Sequence, residues 1–168
     1  MKKILIILLI LFMGGCANQI SLEKFGVVKE RMLSDDLNLP VLSTKDFVKV
    51  NVSYTDKLFL DGNCKRIIMP IHSMQIYSID TGMNGKIDYR PQTHDLMKDI
   101  FDGFGIELLM IKIDDVENEI YKARFIVRQG NKVLDLDARP SDSIAMAVRY
   151  GKDVYVKKSL MDKGEKIC

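Results

Sequence analysis

The chain has 168 residues, with 25 Lys and Arg against 23 Asp and Glu, two histidines and three cysteines. So even a balance gives poor support for holding a phosphate backbone by bulk charge, which calls for a basic face, although a local basic patch stays compatible with it. No C-x-x-C or mixed Cys/His cluster occurs, which argues against a structural zinc site.

The chain opens Met1-Lys2-Lys3, runs apolar over residues 4–13, and continues Gly14-Gly15-Cys16. A short basic head, an apolar stretch and small residues make a secretory signal over residues 1–15, too short for the ~20 apolar residues of a bilayer span. Gly14-Gly15-Cys16 resembles a bacterial lipoprotein processing site, which would leave Cys16 lipidated at the head of the mature chain. The plain alternative is a signal peptide that happens to contain a cysteine. Cleavage would remove Lys2 and Lys3 and no acid, leaving 23 charges of each sign. The expected location is the cell envelope, anchored by lipid and facing outside the cytoplasm. If the cell has two membranes, Ala17 leans weakly towards outer-membrane sorting, by analogy with lipoproteins. Such a compartment permits a disulfide between Cys64 and Cys168. Nothing in the sequence brings their Cα atoms within bridging range, so two free thiols are the expectation.

Residues 16–45 form a lipidated tether. Within it, residues 21–33 suit a short helix with Leu22, Phe25, Val28 and Met32 on one side, broken by Ser34-Asp35-Asp36 and Pro40. A single domain then fills 46–168. Strands are expected at 47–54, 57–60 and 66–71, the last two joined through Asp61-Gly62-Asn63. A helix at 73–81 offers Met74, Tyr77 and Ile79 to the core. A second at 93–104 has Thr93 as N-cap, His94 and Asp95 in its first turn, and Leu96, Met97, Ile100, Phe101 and Phe104 as a buried stripe. Strands at 106–113, 119–128 and 133–137 follow, the last two joined at Gly130-Asn131. A helix at 141–150 stops at Gly151. A strand at 154–156 and a helical turn at 159–163 close the chain. The order is three strands, two helices, three strands, a helix and a strand. It predicts an α+β fold, a mostly antiparallel sheet with three or four packed helices.

Two runs carry the chemistry. One is Asp135-Leu136-Asp137-Ala138-Arg139-Pro140-Ser141-Asp142-Ser143 with the small-apolar helix after it. The other is Tyr89-Arg90-Pro91-Gln92-Thr93-His94-Asp95-Leu96-Met97. Together, in this order, they resemble the bifunctional nuclease domain family over about residues 46–162. The resemblance implies cleavage of DNA and RNA. It also has a gap: in Pro70-Ile71-His72-Ser73-Met74-Gln75-Ile76 the family's glycine is missing, and Gln75 falls about where its acid stands. If that acid matters, activity is weakened or lost.

Residue chemistry suggests roles. Asp135 and Asp137, two apart on a strand, face one side, and with Asp142 would hold a divalent cation, Mg²⁺ or Mn²⁺, or aim a water. Arg139 would grip a phosphate oxygen, and Arg90 would add a second contact to substrate. The helix start at Ser141 would offer backbone donors. His94 with Asp95 would assist proton transfer if the fold sets that helix beside the 135–142 turn. Each has a plain reading too: Asp142 suits the helix dipole, Pro140 and Ser141 are ordinary helix openers, and Arg139 pairs with any of the three aspartates. The sequence thus supports two proteins. One is an envelope-anchored nuclease acting on DNA or RNA with low sequence preference. The other is a non-catalytic envelope domain that binds an anionic ligand or a protein. Self-association into a homo-oligomer is open in both.

Overall fold

The computed structural model of the chain describes residues 29–32 and 39–168. The expected signal segment, Cys16 and residues 21–28 and 33 of the expected tether helix lie outside the described residues. Within that helix span, the described residues Lys29–Met32 form a strand instead.

The strands are β1 (Lys29–Met32), β2 (Phe47–Tyr54), β3 (Leu58–Gly62), β4 (Lys65–Met69), β5 (Glu107–Glu117), β6 (Ile120–Gln129), β7 (Lys132–Ala138), β8 (Val154–Lys157) and β9 (Glu165–Lys166). The helices are α1 (Ser73–Met83), α2 (Thr93–Gly103), α3 (Pro140–Tyr150) and the single turn α4 (Lys158–Met161). The strands form one sheet in the order β1-β7-β6-β5-β8-β2-β3-β4-β9. Every neighbouring pair is antiparallel except β5 with β8. The fold is therefore α+β with a mostly antiparallel sheet, as the pattern predicts. The parallel pair has a topological cause. β7 and β8 run the same way with β6 and β5 between them, and parallel strands need a long crossover. That crossover is α3, which is laid over the middle of the sheet and buried for most of its length.

Alternation divides the sheet into two faces. Ile111 and Ile113 of β5, Ala123, Phe125 and Val127 of β6, and Leu134, Leu136 and Ala138 of β7 join Ile144, Ala145 and Met146 of α3 in one apolar core. The register sets Lys112 opposite Arg124 and Arg124 opposite Asp137, so these charges share the other face. There the Lys112 ammonium donates to the carbonyls of Val41 (2.5 Å) and Ser43 (2.6 Å), and lies 4.6 Å from the centre of the Phe47 ring. These contacts clamp the Pro40–Leu42 turn onto the sheet.

Three expectations need correcting. Met74 is 72% exposed and Tyr77 42% exposed; of the three residues offered to the core by α1, only Ile79 is buried. The α2 stripe narrows to buried Phe101 and half-buried Met97, while Leu96, Ile100 and Phe104 are exposed. The helix rests on the sheet by one edge, so a full apolar stripe has nothing to cover half of it. Finally, Cys64 and Cys168 are joined, with Cα atoms 5.2 Å apart. The two-residue turn between β3 and β4 uses Asn63 and Cys64 at positive φ, and the Ile167 amide donates to the Cys64 carbonyl (3.0 Å). Pairing of β9 with β4 thus delivers the last residue to the thiol, a long-range effect that spacing does not encode.

Candidate functional site

The site lies where α1, α2 and α3 meet above the core. Arg139 holds the N-cap position of α3 in extended backbone, with Pro140 inside the first turn. No side chain caps this helix, so the first backbone N–H groups lack the partner that an Asp or Ser at Arg139 would give. Asp142, in the same turn, accepts two bonds from Arg139: Nε to Oδ2 at 2.6 Å and Nη2 to Oδ1 at 3.0 Å. Arg139 itself is 72% exposed along its side chain. The fork is therefore engaged at one edge and open to solvent at its other edge.

His94 comes from the first turn of α2. Its Nε2 lies 3.6 Å from Asp142 Oδ1, and its Nδ1 lies 2.8 Å from Ser78 Oγ of α1. The structure thus brings the upstream run to the downstream one. Burial lowers the pKa of His94 from its ordinary value; the Asp142 charge opposes this, and Arg149 adds to it. A neutral imidazole beside a carboxylate is set up to take a proton. The row Ser78–His94–Asp142 has the composition of a nucleophilic triad but the wrong polarity for one. Ser78 is only 5% exposed, whereas the aspartate stands at the surface. A nucleophile must meet substrate, so Ser78 is a buried prop for the imidazole.

Asp95 turns the other way. It accepts from the Gln92 backbone N–H (2.8 Å), which makes Gln92 the N-cap in place of Thr93, and it pairs with Arg149 Nε at 2.7 Å. Burial raises the pKa of Asp95, but the bonds from Arg149 and Gln92 prevail and leave it lowered. Arg149, almost wholly buried, also donates to the carbonyls of Ser78 (2.8 Å) and Ala145 (2.9 Å). A Cβ on Gly82 would stand 2.7 Å from Arg149 Nη1, so α1 needs a glycine there to let the guanidinium pass. Asp95 is therefore a staple between α2 and α3, set apart from the exposed fork.

The three aspartates of the expected metal site are not one group. Asp135 is buried and held by both Nε (2.8 Å) and Nη2 (2.5 Å) of Arg124. Asp137, opposite Arg124 in register, shares that face of the sheet, away from the helices. Asp142 is engaged by Arg139. Among the described residues, no three His, Cys, Asp or Glu side chains are grouped to hold a metal ion. The strand period puts Asp135 and Asp137 on a common side, but on the far one.

Ser141 is buried, and its hydroxyl accepts from Gln75 Nε2 (2.8 Å), while Gln75 Oε1 accepts from the His72 backbone N–H (2.9 Å). Gln75, read as a missing acid, thus ties the start of α1 to the start of α3. Beside this tie runs an open groove of about 220 Å³, lined by Ile71, Gln75, Ile120, Tyr121, Arg139 and Ser141 among others. Arg90 is exposed, with its guanidinium 6.0 Å from the centre of the Tyr89 ring. Sequence reasoning missed Ser78, Arg149 and Arg124. A buried arginine beside a family motif is visible only as an unassigned charge in an apolar helix, as Arg149 is.

A family model described as the bifunctional nuclease domain matches residues 58–167. An uncharacterized protein of Mycobacterium tuberculosis, found in two strains, is 38% identical over 72 residues, covering 43% of this chain and 42% of that protein. The chain thus spans less than half the length of these relatives.

Proposed function

The chain belongs to the bifunctional nuclease domain family, and from that premise we propose that it hydrolyses phosphodiester bonds of DNA and RNA with low sequence preference. The observation that carries this reading is the row Arg139–Asp142–His94 at the uncapped start of α3. A phosphate that docks beside Arg139 meets a guanidinium edge and free backbone donors, both of which stabilise charge as it builds on phosphorus. His94, kept neutral by burial and steadied by Ser78, takes the proton from the attacking water or sugar hydroxyl. Asp142 holds the guanidinium, and its charge, 3.6 Å from His94 Nε2, favours the imidazolium that forms when that nitrogen takes the proton. The carboxylates do not fit the three-aspartate metal site, so no step is assigned to a metal.

We further propose that the protein works in the cell envelope, held to the bilayer by lipid on Cys16. What supports this is the basic head, the apolar run and the Gly14-Gly15-Cys16 step. The Cys64–Cys168 disulfide suits an oxidising compartment. Among the described residues no helix is long and apolar enough to cross a membrane.

The test is the purified protein on labelled DNA and RNA strands, with Mg²⁺, Mn²⁺ or chelator, beside Arg139→Ala, Asp142→Asn and His94→Ala. Cleavage that falls at least about tenfold in each folded variant supports the reading. Equal cleavage by all variants overturns the site. A non-catalytic module remains the second reading, favoured by the pairing of Asp142 with Arg139. It predicts no cleavage under any condition, with anion binding that still depends on Arg139.

A further inference from the structure

The sheet leaves one stretch of strand edge bare. Among the described residues β1 pairs with β7 from Lys132 to Asp135, whereas β7 runs on to Ala138. Leu136, Asp137 and Ala138 therefore have β6 on one side and no described strand on the other. An open edge is a template for another strand. Beside it lies an apolar cavity of about 180 Å³, walled by Met97, Phe125, Leu136 and Met146 and lined also by Asp142 and Ser143. The Ser143 hydroxyl is the one buried side-chain oxygen or nitrogen without a hydrogen-bond partner among the described residues. A hydroxyl left unpaired in the interior is costly, so it calls for an occupant that offers a polar atom. A second apolar cavity, of about 140 Å³, shares Leu136 and lies against Phe101, Ile106 and Leu134.

Direction, sequence and attachment name the occupant. β1 is antiparallel to β7, with Lys29 opposite Asp135, so the chain before Lys29 heads along the bare stretch. A continued ladder would set Val28 opposite Leu136, Val27 opposite Asp137 and Gly26 opposite Ala138. Residues opposite one another share a face of the sheet, so Val28 would join Leu136 on the helix side, over the two cavities. Gly26 falls where β7 ends, and a glycine there lets the chain bend towards α2. Phe25 then brings the largest side chain of residues 17–28, and Leu22 follows three residues upstream. The segment is already fixed to the sheet at Lys29, so it competes with any separate chain at a high effective concentration.

We propose that residues 22–28 dock on their own domain: Gly26, Val27 and Val28 extend β1 along the edge of β7, and Phe25 fills the cavity lined by Ser143 and Asp142. The Ser143 hydroxyl then finds a backbone partner in the segment. The proposal stands without the nuclease reading, but it bears on the same place, because Asp142 lines the cavity. It sets the upstream end of the segment at the Asp142 side of the domain. Phe25 lies nine residues after Cys16, so lipid at Cys16 would keep that side within about 30 Å of the bilayer.

The experiment closes pairs of introduced cysteines with a mild oxidant in the purified protein, held in detergent, and locates the links by mass spectrometry. Val27→Cys with Asp137→Cys is expected to link, since opposite residues have Cβ atoms about 4.5–5.5 Å apart. Val28→Cys with Asp137→Cys, one step out of register and on opposite faces, should link at least about tenfold more slowly. Equal rates, or no link in either, overturn the proposal. A link found only between two molecules also overturns it and gives the edge to a second copy. Hydrogen exchange supplies an independent readout. Phe25→Ser should speed exchange over residues 26–28 and 136–138 at least about tenfold and leave β5 and β8 unchanged. Ser143→Ala should speed exchange over residues 25–28 about fivefold, because the segment loses a hydrogen bond. Exchange unchanged by Phe25→Ser, or slowed by Ser143→Ala, would show an unoccupied cavity with an unpaired hydroxyl and overturn the proposal.

Discussion

Asp142–Arg139 and Asp95–Arg149 are the same two chemical groups in different surroundings. The first pair closes over three residues at the surface, with side chains 33% and 72% exposed; the second joins two helices, with side chains 14% and 4% exposed. Water screens the first and lets its guanidinium change partners, so its net contribution to stability is small and its availability to a ligand is high. The second has lost most of its water. Its carboxylate and guanidinium are held by each other, by the Gln92 backbone N–H and by backbone carbonyls, and removal of either strands a charge in the interior. On the proposed reading, two arginines at the two ends of α3 therefore divide into one that binds and one that builds.

The sharpest way to break this comparison is Arg149→Ala. It leaves Asp95 half-buried and frees two carbonyls, so stability in denaturant melts should fall by about 3–5 kcal/mol. A loss below about 1 kcal/mol would mean that water reaches the pair and that burial does not separate the two arginines. Substituting Cys168→Ser, far from both pairs, supplies a control. The disulfide closes a loop of sequence separation 104, so its loss should cost about 2–4 kcal/mol. The coupling between Asp95 and Arg149 in a double-mutant cycle should nevertheless stay the same in that background. A changed coupling would show that the C-terminal clasp sets the helix layer as well as the sheet edge.

Arg139→Ala should do the reverse of Arg149→Ala. The exposed pair should cost less than about 1 kcal/mol in the same melts. Cleavage of labelled strands should fall at least about tenfold, since only a charged donor aimed at the phosphate is lost. A large loss of stability with cleavage unchanged would exchange the roles assigned to the two arginines.

The amount of this that is legible in the sequence follows the range of the interaction. Strands β2 to β8 and the three long helices declare themselves through local period and turn residues, and so did the α+β class. What failed was anything set by a distant partner. Tyr77 and Met74 have the spacing of core residues, yet α1 turns them outward because Ser78 and Gly82 are needed on the inner side for His94 and Arg149. Asp135 and Asp137 were rightly placed on one side of a strand, but the choice of face depends on α3 crossing over the opposite one. The disulfide depends on the β4–β9 pairing. The meeting of His94 with Asp142 was legible only as matching positions in two runs, because adjacency of α2 and α3 is a property of the packed layer.

The smallest effect tests the imidazole between the two pairs. Burial holds the His94 pKa below the ordinary value of 6.5, against the pull of Asp142 and Asp95 and with the push of Arg149. The unfolded chain therefore binds a proton near pH 6.5 that the folded protein refuses until the pH is lower. The contribution of a neutral His94 to stability is thus fully present above about pH 6.5. It is lost as the pH falls from there to the folded value, and below that it changes no further. Denaturant midpoints measured across this window should slope downward towards acid in the wild type, and the slope should flatten in His94→Gln, which keeps a polar partner for Ser78. If His94 also serves as the base, the acid limb of the pH–rate profile should lie below 6.5 and disappear in the same variant. A stability slope that survives His94→Gln would place the proton on another group, and an acid limb of the rate profile that survives it would remove the imidazole from the proposed chemistry.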